Sequence, residues 1–151
     1  MAHGVEFHTG VPDTLDFTCR LLRKAYRRGA TVLCLAPGER LEALDRALWT
    51  FVEREFLPHA LLGRAKGGML ARTPIWLSSA WPDVDAAEAP RRDVIVNLGG
   101  PLPVEAAASA RVIEVVGADP DEVDRGRSLW RQYKVGGFEI THHPFKPTRD
   151  D

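Results

Sequence analysis

Apolar positions in this chain fall into two patterns: short solid runs, and longer stretches where they recur every three or four residues. The solid runs are Thr31–Ala36 (TVLCLA), Asp93–Leu98 (DVIVNL) and Arg111–Val116 (RVIEVV). Each has strand length and the continuous hydrophobicity of a strand covered on both faces. Val5–His8, Ile75–Leu77 and Phe138–His142 read as further short strands. Leu15, Cys19, Leu22 and Tyr26 follow helical spacing, in a helix that Asp13 is placed to cap and that ends in Arg27-Arg28-Gly29. Pro37-Gly38 leads into a second helix, Glu39 to about Arg54, with Leu41, Leu44, Leu48 and Val52 in one stripe. A short alanine-rich helix is expected over Val104–Ala110 and a last one over Pro120–Lys134. In the last helix Asp119 is the expected cap, Pro120 the first residue, and Glu122 the partner in a D-x-x-E capping box. The Gly- and Pro-rich stretch Pro58–Pro74 reads as a loop, Pro82–Pro90 as an acidic connection, and the tail from Pro144 as a frayed end.

Strands alternating with helices at this spacing predict a three-layer α/β fold, a mainly parallel central sheet with helices on both faces. The 151 residues fit one domain, 1–151, with no internal repeat or boundary. The 20 basic and 21 acidic side chains leave a formal net charge of −1. General nucleic-acid binders are usually basic overall, so direct nucleic-acid binding is not expected. No apolar stretch reaches the roughly 20 residues of a membrane span, and MAHGVEFHTG is not a secretion signal. The expected location is the cytoplasm, where Cys19 and Cys34 would be small buried hydrophobes rather than a disulfide.

Phosphate-binding and catalytic motifs are missing from the sequence. The first strand–helix turn has Gly10 but no GxGxxG, and Gly63-Arg64-Ala65-Lys66-Gly67-Gly68 lacks the GKS or GKT ending of a phosphate loop. No GxSxG occurs, and no pair of carboxylates stands at a catalytic spacing. His142 and His143 are adjacent on a predicted strand, so they face opposite ways and do not chelate one metal together. His59 reads as a hydrogen-bonded packing residue. The expectation is no catalytic residue, no metal and no cofactor.

Two surfaces are unusual. Trp49 lies beside the core stripe of the second helix, in the same sector as Glu42 and Asp45, and Phe56 and Leu57 extend its apolar patch. Trp at such a border either folds over the core edge or anchors an interface. On the last helix Val123, Leu129, Trp130 and Tyr133 form the apolar side, and Arg127, Arg131 and Lys134 make a basic ridge beside Trp130. A solvated charged face is the ordinary reading of such a ridge. Cations flanking an aromatic also suit an acidic peptide that ends in a hydrophobic residue with a free carboxylate.

RALWTFVEREFLPHALLG at 46–63 and RSLWRQYKVGGF at 127–138 resemble the central stretch and the closing helix of the chi subunit of bacterial DNA polymerase III. RRDVIVNL at 91–98 and RVIEVV at 111–116 match strands of that family in order and spacing. The resemblance runs from about residue 5 to 146. Arg64 stands where an acidic residue is common, and Trp130 where a Tyr is common. The resemblance implies a non-catalytic accessory subunit of the clamp-loader assembly with two partners, working in a complex whose polymerase activity resides in another subunit. The psi subunit would contact Trp49 and Phe56, with Pro58 nearby. The acidic C-terminal tail of single-stranded DNA-binding protein would contact Val116, Arg127, Trp130 and Arg131, with Lys134 a secondary candidate. A helicase is a further candidate partner at the Trp49 patch. The competing readings are a small nucleotide- or metabolite-binding enzyme with a degenerate phosphate loop, and a direct DNA-binding module.

Overall fold

The computed structural model describes residues 4–50, 56–62, 72–81 and 92–146. Its centre is a seven-stranded sheet: β1 (Val5–Val11), β2 (Val32–Leu35), β3 (His59–Leu61), β4 (Ile75–Ser78), β5 (Val94–Asn97), β6 (Arg111–Gly117) and β7 (Ile140–Pro144). The spatial order is β3-β4-β2-β5-β6-β1-β7, and every pairing is parallel. The solid apolar runs form its middle: all four residues of β2, β4 and β5 are buried.

Alternation along each strand sends side chains to two separate cores. On one face Val32, Cys34, Ile75, Leu77, Val96, Ile113 and Val115 pack against α1 (Thr14–Arg27) and α2 (Gly38–Thr50), which contribute Cys19 and Leu22, and Leu41, Leu44 and Leu48. On the other, Phe7, Leu33, Leu35, Ile95, Val112 and Val116 meet α3 (Pro120–Val135) through Tyr133, and a 3-10 turn at Val104–Ala108. This is the expected three-layer arrangement. Both cysteines are buried and free, and burial pushes their thiols up to about 12, so neither is a thiolate near neutral pH.

Asp13 caps α1 as expected, accepting from the Asp16 N–H at 3.0 Å. Four local readings need correction. His59–Leu61, read as loop, is an edge strand paired with β4; three residues are too few for a period of two to show. The alanine-rich helix is only the short 3-10 turn. The last strand starts two residues late, and Phe138 packs on Tyr133 instead, with the Phe145 N–H donating to Thr9 O beyond the strand. Asp119 holds the N-cap position without a side-chain capping bond, and Glu122 does not complete the box, its carboxylate being engaged by Arg125, Arg40 and the Gly117 N–H. Val52, Arg54, the glycine stretch 63–68, the connection 82–90 and the tail from Pro147 lie outside the described residues. Among the described residues no helix is long and apolar enough to cross a membrane.

Candidate functional site

α3 begins just past the end of β6, and its first half is tied down by charge. Arg125 donates to the Val115 carbonyl at 3.0 Å and to Glu122 at 3.2 Å, and lies 3.6 Å from Glu114. Arg40 of α2 bridges Glu122 and the Leu98 carbonyl. Burial works against the Glu122 carboxylate, but the Arg125 bond and charge, the Gly117 N–H and Arg40 hold it below the usual carboxylate range. Gly126, the next residue, lies against β6: an added Cβ would stand 3.0 Å from Val116 Cγ1. A glycine inside a helix costs about 1 kcal/mol relative to alanine, and here it permits this close approach.

The close approach shapes a cavity of about 620 Å³ at the ends of β1, β6 and β7. Val116 and Phe7, both almost fully buried, belong to its apolar lining. Trp130 is a half-buried wall whose ring centroid lies 5.1 Å from that of Phe7. His142 of β7 meets Trp130 edge-on at 5.6 Å, and its Nε2 lies 2.6 Å from Thr9 Oγ1. Arg127 and Arg131 are exposed on α3 and also line the cavity. An apolar hollow flanked by two guanidinium groups has room for a hydrophobic side chain and donors for an adjacent carboxylate.

The structure therefore brings Val116, Arg127, Trp130 and Arg131 together. Lys134 is exposed one turn further along α3 and is not among the lining residues. Phe7, Thr9, Gly10, Gly126 and His142 also line the cavity, and the sequence did not assign them to it. A glycine within an otherwise regular helix was the one local clue.

Behind the pocket lies a buried acid. Glu114 is fully buried, accepts from Asn97 Nδ2 at 3.0 and 3.1 Å and from the Tyr133 hydroxyl at 2.8 Å, and its carboxyl is raised above the usual range by burial. The folded chain then holds this proton at pH values where the unfolded chain has released it. Its contribution to stability is full below the ordinary carboxylate pKa and declines as pH rises through the folded value. Glu114→Gln cannot ionise, so wild-type stability relative to this variant is expected to fall as pH rises from about 4. Urea unfolding of both proteins across pH would show it; a difference independent of pH would contradict the assignment.

A second surface lies on the opposite layer, toward the other sheet edge. Trp49 is 59% and Phe56 60% exposed, with ring centroids 5.4 Å apart. The His59 ring stands edge-on to Trp49 at 4.9 Å, its Nε2 is 3.1 Å from Asp45 Oδ1, and its Nδ1 is 2.6 Å from the Leu57 carbonyl. Leu57 is buried beneath the patch, and the half-buried Pro58 links it to His59. Trp49, Phe56 and Pro58 thus form one apolar area, and Trp49 does not fold over the core edge.

The sequence model of the family described as "DNA polymerase III chi subunit, HolC" matches residues 2–141. DNA polymerase III subunit chi of Pseudomonas aeruginosa is 30% identical over 131 residues, covering 85% of this chain and 84% of that protein. The Escherichia coli protein of the same name is 27% identical over 139 residues, covering 91% and 89%. Among solved structures, the C-terminal domain of Saccharomyces cerevisiae Dbp5 superposes with a TM-score of 0.56 at 11% identity, covering 95% of this chain and 90% of that one, a likeness of fold alone. With a family match spanning nearly its whole length, this chain belongs to the DNA polymerase III chi subunit family.

Proposed function

We propose that the protein is a non-catalytic connector of the replication machinery. Its α3 pocket receives the acidic C-terminal tail of single-stranded DNA-binding protein, and its Trp49 patch receives the psi subunit of the clamp-loader assembly. The observation that carries this reading is the apolar hollow between Val116 and Trp130, flanked by Arg127 and Arg131. The tail's last hydrophobic side chain fills the hollow, and its terminal carboxylate takes paired N–H donors from arginine, whose planar fork matches carboxylate geometry. The two surfaces sit on opposite layers of the sheet, which supports simultaneous occupation by both partners in the cytoplasm. A helicase at the Trp49 patch would compete with psi.

The test is a titration of the purified protein with a labelled tail peptide, the same peptide amidated at its C-terminus, single-stranded DNA, and ATP. Binding at about micromolar strength is expected for the free-carboxylate peptide alone, with no ATP turnover. Equal affinity for the amidated peptide would place the site elsewhere. ATP hydrolysis by the isolated chain would favour the enzyme reading.

A further inference from the structure

The sequence rejected His142 and His143 as joint metal ligands because neighbours on a strand point apart, and they do. His142 turns to Trp130, while His143 turns to the other face of the sheet. The parallel register of β7 on β1 sets His143 directly beside His8, with ring centroids 4.7 Å apart and planes at 16°. Glu6 lies two residues before His8 on the same face of β1. The ligand atoms of these three residues all fall within 4.8 Å of one another.

We propose that Glu6, His8 and His143 form a binding site for a borderline divalent transition metal of the zinc class. Two imidazoles and one carboxylate are ligands such an ion takes, leaving a position to solvent. Bonds of about 2 Å to one ion require the ligand atoms to draw somewhat closer, within reach of side-chain rotation because His143 is exposed on an edge strand.

The surroundings favour the geometry. Arg111 of β6 bonds Glu6 Oε2, fixing the carboxylate while leaving Oε1, which lies 3.7 Å from His143 Nε2. A second group that orients a ligating carboxylate is the usual support of a metal site. The Arg111 and Lys24 cations act on His8 from neighbouring elements, and the Glu6 carboxylate offsets them. His8 further lines a cavity of about 650 Å³ bordered by Phe17, Lys24 and Phe145, which gives an ion a way in. A bound ion would clip the last strand to the first, and it lies on the face of β7 opposite the α3 pocket, so it is independent of the peptide reading.

The experiment is calorimetric titration of the EDTA-treated full chain with zinc chloride, with cobalt(II) absorption as a second readout. One zinc per chain is expected, with a rise in melting temperature. His8→Ala and His143→Gln should each weaken binding by at least about tenfold, as loss of a ligand costs no less than loss of its supporting group. His142→Ala should bind zinc as the wild type does. The wild-type cobalt spectrum should show the visible bands of a low-coordinate nitrogen–oxygen site, a result that does not depend on any variant folding. No stoichiometric binding to the wild type, undiminished binding in both ligand variants, or an equal loss in His142→Ala would overturn the site.

Discussion

Arg127→Ala is expected to weaken binding of the acidic tail peptide by about 1.5–3 kcal/mol, the scale of a hydrogen bond to a charged group. That is roughly a ten- to hundredfold rise in Kd. Arg127 and Arg131 stand one helical turn apart, so both guanidinium groups reach a single peptide lying across α3. Arg127 is exposed, so its removal leaves both cores intact and a loss of affinity is not a loss of folding. Salt provides a second axis: screening of the acidic tail should weaken the wild type, and weaken Arg127→Ala proportionately less. Fluorescence anisotropy at two ionic strengths measures both effects. Equal affinity for wild type and variant would move the peptide to another surface.

The second large effect is a contrast between two residues of α2. Leu44 is fully buried between α2 and the sheet, so Leu44→Ala should destabilise the fold by roughly 2–5 kcal/mol. Trp49, five residues on, is 59% exposed, and Trp49→Ala should cost much less stability. Its loss should instead appear in complex formation, with at least about 2 kcal/mol of psi binding removed if it is an interface anchor. Chemical denaturation of both variants and co-purification with the cognate psi subunit separate the roles. If Trp49→Ala unfolds as readily as Leu44→Ala, the patch is structural. Unchanged psi binding in a stable Trp49→Ala protein would assign that partner to another face.

These residues also show what the sequence could and could not disclose. The buried strands were legible because runs such as TVLCLA leave few alternatives, and the α2 stripe because its period is helical. Part of the α3 pocket was legible for the same reason: Arg127, Trp130 and Arg131 share a helix, where spacing fixes which side chains are neighbours. Phe7, Thr9 and His142 could not be found that way. They reach the pocket only because β1 lies between β6 and β7, and strand order is a tertiary outcome that local pattern does not encode. Glu114 was visible as one acid inside an apolar run, but its partners Asn97 and Tyr133 come from β5 and α3. The D-x-x-E box stayed incomplete for a related reason, since the Glu122 carboxylate is claimed by Arg40, which is remote in sequence. His142 and His143 point apart along β7, whereas His8 and Glu6 meet His143 only across strands that are remote in sequence.

The position of β1 bears on how the protein is made. Among the described residues this strand pairs with β6 on one edge and β7 on the other, so neither edge finds its partner until residues from 111 onward have left the ribosome. At about 5–20 residues per second, that is a wait of roughly 5–20 seconds. Meanwhile β2 can already align with β4 and then with β5. Val5 and Phe7 stay exposed on an open strand throughout, in the state that invites mispairing between nascent chains. Synthesis order would therefore build the sheet from the β3–β4–β2 side toward the β7 edge, with β1 among the last strands to be sealed.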